Sequence, residues 1–252
     1  MSEVITDRWT TSDGVELAYH ELGQGRPVVL LHGLFSSAYV NWIKFGHAAR
    51  LAANGMRVIM PDLRAHGQSA APHDPANYPD GILGRDLAEL VAHLGLTDYD
   101  LGGFSLGART VVQGVGEGLT PRRAVLAGMG LEGLTGWLAR KHFFIDAIAN
   151  FETANRGDRH WMAIQFMKTM KVDRAAASLL LPTFSDAHPE WLAAFTMPTL
   201  ILCGTEDEDN GSAPNLVAAL PAAKLAQVPG THMSSVTKPE FGDALAAFLG
   251  SA

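Results

Sequence analysis

Short apolar runs that stop at Gly, Pro or Asp alternate along this chain with longer stretches of helical spacing. Such alternation predicts an α/β fold, with a mostly parallel sheet covered by helices on both faces. Glu16–Glu21 alternates as an early antiparallel strand. Pro27–Leu31 is a continuous apolar run ending at His32-Gly33, and Arg57–Met60 is another ending at Pro61-Asp62. Tyr99–Gly103, Arg123–Ala127, Pro198–Cys203 and Lys224–Val228 supply further strands. Between them Tyr39–Asn54 reads as a helix stopped by Asn54-Gly55. Gly81–Leu94 gathers Ile82, Leu83, Leu87, Leu90, Val91 and Leu94 on one helical face, and Pro239–Leu249 reads as a closing helix with proline in its first turn.

The alternation fails between 131 and 196, where no strand-like run appears and bulky residues collect: Trp137, Phe143, Phe144, Phe151, Trp161, Met162, Phe166, Met167 and Met170. The expected organisation is therefore one core made of 1–130 and 197–252, with 131–196 inserted as a helical cap over the carboxyl edge of the sheet. Residues of this type either line a pocket or pack the insertion's own core. Phe35, Trp137, Phe144, Trp161 and Met233 are the candidates for substrate contact.

Composition mainly removes possibilities. The net charge of −7, with no basic run, argues against a nucleic-acid partner, which needs clustered Lys and Arg. The single cysteine, Cys203, excludes an internal disulfide, and its apolar run Leu200–Gly204 suits an inert core thiol. Acids stand in the first eight residues where a signal peptide needs basic then apolar ones, and no stretch approaches the roughly 20 apolar residues of a membrane span. A cytoplasmic protein with no membrane partner is expected; oligomeric state is not readable. No His-Glu-x-x-His or paired Cys-x-x-Cys spacing is present, and Gly23-Gln24-Gly25 lacks the third glycine of a dinucleotide fingerprint. Neither metal nor cofactor is expected.

Candidate chemistry lies at the strand ends. Ser105 stands in Gly103-Phe104-Ser105-Leu106-Gly107, between an apolar strand and a stretch, Ala108–Gln113, that continues as a helix. The pentapeptide alone is a weak signal; its context makes Ser105 a nucleophile exposed on a tight strand-to-helix turn. A serine hydroxyl needs a base to take its proton and an acid to orient that base. His232 follows the last strand in Pro229-Gly230-Thr231-His232, and Asp207 follows the preceding one in Gly204-Thr205-Glu206-Asp207. Glu206 and Asp209 compete for the acid's place. An oxyanion would need two backbone N–H groups, and Leu106 and Leu34 are the candidates: one follows the nucleophile at a helix start, the other lies in the turn after Leu31. His32 is expected to brace that turn.

These motifs, together with Gly25–Gly33 and Asp62-Leu63-Arg64-Ala65-His66-Gly67-Gln68-Ser69, follow one another as in the α/β-hydrolase superfamily. The chain resembles an esterase-type serine hydrolase with a helical cap over its full length. The resemblance implies a mostly parallel eight-stranded sheet, and it favours Asp207 as the acid. It also implies that the Asp62–Ser69 turn shapes the sheet edge, although Ala65 stands where the family commonly has glycine. The expected reaction is cleavage of a small to medium hydrophobic carboxylic ester through an acyl-enzyme on Ser105. A lactonase or a carbon–carbon bond hydrolase would use the same triad, and a ligand-binding receptor on the same fold is the alternative of a different class.

Overall fold

The structure, a computed structural model, describes residues 3–250. Its centre is an eight-stranded sheet of β1 (Ile5–Thr10), β2 (Glu16–Leu22), β3 (Arg26–Leu31), β4 (Met56–Pro61), β5 (Asp100–Phe104), β6 (Arg123–Ala127), β7 (Thr199–Gly204) and β8 (Ala223–Val228). The spatial order is β1-β2-β4-β3-β5-β6-β7-β8, antiparallel at β1–β2 and β2–β4 and parallel elsewhere. The order reverses at β3, so the loop after β3 and the loop after β5 open side by side at the carboxyl edge, where open α/β sheets place their sites.

The helices are α1 (His47–Ala53), α2 (Ile82–His93), α3 (Leu106–Gly116), α4 (Leu131–Thr135), α5 (Trp137–Ala149), α6 (Trp161–Met170), α7 (Arg174–Leu180), α8 (Pro189–Ala193), α9 (Ala213–Ala219), α10 (His232–Ser235) and α11 (Pro239–Leu249). Strand residues divide by parity, as a pleat requires. Val28, Leu30, Val125, Ala127, Leu200 and Leu202 pack with α1 and α11 through Leu51, Phe241, Leu245 and Phe248. Val29, Leu31, Leu101, Leu126 and Ile201 pack on the other face with α2, α3 and α9 through Leu87, Leu90, Val111, Val112 and Leu216. The continuous apolar runs read from the sequence are strands buried on both faces.

Two local expectations change. Tyr39–Asn54 is not one helix: a wide turn of π geometry over Tyr39–Ile43 ends before Gly46, whose φ of 79° breaks the spiral, and α1 starts after it. The sequence pattern gave no strand at Ile5–Thr10, yet β1 forms there, paired with Glu16–Glu21. All of β1 but Trp9 is exposed, so this edge strand carries no period-two signal to read.

From 131 to 196 the structure holds helices and no strand. Phe35, on the loop after β3, is buried with Ala147 and Phe144 of α5, Ile164 and Met167 of α6 and Ala177 of α7. The helical segment therefore rests on the carboxyl end of β3.

Candidate active site

The elbow is fixed by close packing. Ser105 holds φ 55°, ψ −110° between the end of β5 and the start of α3. Its N–H donates to the Ala127 carbonyl at 2.8 Å, which ties the turn to β6. A Cβ on Gly103 would lie 2.2 Å from the carbonyl carbon of Gly107, and one on Gly107 would lie 2.2 Å from the Leu31 carbonyl oxygen. Both glycines are thus obligatory: the first turn of α3 folds directly onto β5 and β3.

The turn after β3 leaves one amide free. Gly33 N–H donates to Asn41 Oδ1 at 3.0 Å, Phe35 N–H to His66 Nε2 at 3.0 Å, and Ser36 N–H to the Gly33 carbonyl at 3.2 Å. Among the described residues the N–H of Leu34 has no partner, and neither has that of Leu106 at the start of α3. A Cβ on Gly33 would stand 3.5 Å from the Ser105 Cβ, so this turn lies against the serine.

The histidine and acid loops are zipped together. Thr205 N–H donates to the Val228 carbonyl and Glu206 N–H to that of Gly230, at 2.8 and 3.0 Å. Asp207 Oδ2 then meets His232 Nδ1 at 3.0 Å. Glu206, Glu208 and Asp209 are exposed, whereas the Asp207 side chain is 2% exposed. With Nδ1–H donating to the carboxylate, Nε2 is left with its lone pair and has no hydrogen-bond partner among the described residues. The imidazole stacks on Phe104, the residue before the serine, with ring centroids 4.8 Å apart. No hydrogen bond joins the Ser105 hydroxyl to the ring; the donor and acceptor stand at one sheet edge with that bond unmade.

Two buried histidines hold the β3 turn in place. His32 Nδ1–H donates to the Gly33 carbonyl at 2.8 Å and its Nε2 accepts the Leu63 N–H at 2.9 Å. Burial pushes its pKa down. His66 donates from Nδ1 to the Arg64 carbonyl and accepts the Phe35 N–H; burial, with His32 beside it, pushes it down to about 3. Neutral rings are required, because each accepts through Nε2. Burial alone would raise the Asp62 carboxyl, but His20, His32 and the N–H groups of Gln68 and Ala38 hold it below its usual value. Asp62, His66 and Ser69 thus bond within their own turn, to His20 on β2 and to the turn after β3, and none hydrogen-bonds Ser105 or His232. The sequence reading missed His66 as the partner that takes the Phe35 amide; 31 residues separate the two, and no local pattern announces the pair.

Of the candidate substrate contacts, Phe35, Trp137 and Phe144 come together. Phe144 meets Phe35 edge-on at 6.0 Å and stacks on Trp137 at 5.6 Å. Phe35 and Trp137 are buried. Trp161 is half-buried at the start of α6, and Met233 is 52% exposed beside His232; neither joins that cluster. Phe184, which the sequence reading left out, packs on Trp137 at 5.2 Å. Cys203 is buried, and burial pushes its thiol up to about 11, so it is neutral and unreactive at physiological pH.

Residues 26–124 match the family described as alpha/beta hydrolase fold, and the sheet order and elbow agree with it. The chain has the α/β-hydrolase fold. This hydrolase-fold chain is 38% identical over 126 residues to a non-heme haloperoxidase of Rhodococcus erythropolis; the match covers 47% of the chain and 42% of that protein. The aligned stretch thus spans less than half of that relative. An esterase from Rhodococcus sp. ECU1013 superposes with a TM-score of 0.74 at 24% identity, covering 98% of both chains. The enol-lactonase from Burkholderia xenovorans LB400 gives 0.70 at 21% identity, covering 97% of this chain and all of that one. At those identities the two structures speak for the fold alone.

Proposed function

We propose that this chain is a cofactor-independent serine hydrolase that cleaves a small to medium hydrophobic carboxylic ester. The observation that carries the reading is the convergence, at the carboxyl edge of one sheet, of a strained serine, a buried Asp207–His232 pair and two unpartnered backbone N–H groups. In this reading His232 Nε2 takes the proton of the Ser105 hydroxyl as the oxygen attacks the ester carbonyl. Asp207 holds the tautomer and stabilises the imidazolium, while the amides of Leu34 and Leu106 receive the oxyanion. His232 protonates the departing alcohol. Water activated by the same imidazole then releases the acid from the acyl-enzyme.

Residues 131–196 act in this reading as the cap, and the apolar surfaces of Phe35, Phe144 and Trp137 favour an uncharged acyl or alcohol group. A lactone is the second reading, supported by the likeness in fold to an enol-lactonase; a ring ester asks the same groups to do the same work. The test is hydrolysis of a chain-length series of p-nitrophenyl esters beside Ser105→Ala. Turnover that vanishes in the variant, with its fold intact, is expected, and its chain-length optimum sizes the pocket. Undiminished hydrolysis in Ser105→Ala would overturn the reading. One equivalent of acyl group taken up without turnover would favour a receptor over an enzyme.

A further inference from the structure

Arg109 stands on α3 one helical turn beyond Ser105, and its N–H donates to the Ser105 carbonyl at 3.1 Å. Its side chain is buried against the helical segment between β6 and β7. Nη1 donates to the Ser185 carbonyl at 2.6 Å and to that of Leu134 at 3.3 Å, and Nη2 donates to the Gly133 carbonyl. These acceptors lie at the two ends of the segment: Gly133 and Leu134 in α4, where the chain enters it, and Ser185 before α8, where the chain leaves for β7. The two ends also bond each other. Ala187 N–H donates to the Leu134 carbonyl at 2.9 Å, and Asp186 Oδ1 accepts the N–H of Trp137 at 2.6 Å, at the start of α5.

The guanidinium also lies over the Trp137 ring, with Cζ 5.4 Å from its centroid. The indole Nε1 is buried and has no acceptor among the described residues, so no side-chain hydrogen bond fixes the ring. Its place depends on Arg109 and on the two rings that touch it, Phe144 and Phe184. Phe144 in turn meets Phe35, the residue after Leu34. Burial pushes the Arg109 pKa down to about 10 and the Asp186 charge opposes it, so the side chain is a cation at neutral pH. A buried cation is costly, and a methionine would fill similar space without that cost. What arginine alone supplies is a planar fork that serves several carbonyls at once. We propose that Arg109 is a positioning residue that sets acyl-chain specificity: it latches both ends of the helical segment to the nucleophile helix and holds Trp137 and Phe144 as a fixed apolar wall beside the oxyanion turn. This inference rests on the serine-hydrolase reading above.

Discrimination by an apolar pocket needs walls that do not yield. One methylene too many or too few is worth about tenfold or more in kcat/KM when the walls are fixed, and less when they move. Without the fork, both ends of the segment lose these three bonds to α3. The Asp186–Trp137 and Ala187–Leu134 bonds remain, so the ends stay joined to each other and the segment keeps its fold. The indole is left with its two aromatic neighbours alone. The Asp207–His232 bond and the Ser105 N–H bond to Ala127 do not involve the Arg109 side chain. The effect therefore falls on KM and on the chain-length profile before it falls on kcat.

The experiment measures kcat and KM on p-nitrophenyl esters from acetate to decanoate for wild type, Arg109→Met and Arg109→Lys. Thermal melts and hydrogen exchange of the amides of 131–138 and 184–188 accompany them. Arg109→Met is expected to flatten the chain-length profile, cutting the preference for the best ester over its neighbours by about tenfold, with the change carried by KM. Exchange is expected to quicken at both ends of the segment together. Arg109→Lys keeps the charge but offers one nitrogen to three carbonyls, and is expected to follow Arg109→Met. A wild-type profile in either variant, or a fall in kcat of equal size at every chain length, would overturn the proposal. Should Arg109→Met fail to melt cooperatively, Arg109→Lys decides alone. Ser105→Ala runs beside them. Activity that survives in it refutes the hydrolase reading, while unchanged exchange at both ends of the segment in the Arg109 variants refutes the latch whatever the activity.

Discussion

Ser105→Gly should make this protein inactive and more stable at once. The serine sits at φ 55°, ψ −110°, outside the left-handed basin in which Lys171 rests at φ 53°, ψ 43°. Only glycine occupies the Ser105 region freely, and another residue held there costs roughly 1–3 kcal/mol. The native side chain returns little of this, because it is half-buried and makes no side-chain hydrogen bond among the described residues. Glycine would release the strain but widen the unfolded ensemble, at about 0.4–1 kcal/mol. The net gain is about 1–2 kcal/mol, equivalent to roughly 2–4 °C in Tm for a chain of this length. Ser105→Ala separates the two effects, since it removes the hydroxyl and keeps the Cβ and hence the strain. Calorimetric melts of wild type, Ser105→Ala and Ser105→Gly are the assay, with ester turnover measured on each. The expected order puts Ser105→Gly clearly above the other two, which stay close together. A Ser105→Gly melt at or below that of Ser105→Ala would refute the claim that the elbow stores strain for the sake of the nucleophile.

Asp207→Asn should cut kcat by roughly 10²–10⁴-fold by leaving the imidazole with the wrong tautomer, while Asp209→Asn and Glu206→Gln leave it nearly unchanged; steady-state kinetics that reversed this order would move the acid assignment. Ala65 holds φ 65° in the Asp62–Ser69 turn. Ala65→Gly should therefore stabilise by about 0.5–1 kcal/mol, the left-handed penalty less the entropy of glycine, with activity unchanged; a fall in the urea midpoint would count against it. Stability should decline below about pH 6.5, because His32, His47 and His66 are all pushed down by burial and the unfolded chain takes up the protons they refuse. His66 alone, at about 3, contributes a loss of about 2 kcal/mol between pH 7.5 and pH 5, and Asp86, pushed up to about 6 by burial, offsets part of the sum. Urea unfolding across that window checks the sign, and flat or rising stability toward pH 5 would refute it.

The parts of this molecule that follow local rules were legible in the sequence, and the parts fixed by distant pairing were not. β6 and α11 fall at the residues their apolar patterns predict, Arg123–Ala127 and Pro239–Leu249. The elbow was readable because its two glycines answer to contacts within one strand-turn-helix unit and the neighbouring β3. β1 was invisible because five of its six residues face solvent and show no period. Gly46 breaks a stretch whose composition alone is helical, and the break appears only once the backbone of that glycine is known. Arg109 and Asp186 carry no motif at all, since each is an ordinary charged residue until the fold brings both to Trp137.

The acid shows most plainly where the sequence reading stops. Glu206, Asp207 and Asp209 are equivalent in a string of residues: three of the four carboxylates on one loop past one strand. What separates them is the pairing of that loop with the next one, 25 residues on. Thr205 and Glu206 spend their N–H groups on Val228 and Gly230, which continues the β7–β8 ladder beyond both strands and turns the following residue inward. The Asp207 N–H closes back on the Gly204 carbonyl at 3.2 Å, and its side chain is buried under the histidine loop while its neighbours stay in water. A carboxylate removed from solvent in this way is stable only if something donates to it. His232 Nδ1 and the Asp209 amide do so, and the same two bonds that satisfy the buried charge also fix the imidazole. In the proposed hydrolase the demands of folding and of a general base would coincide here, because position in the loop, and not residue type, selects Asp207 as the partner of His232.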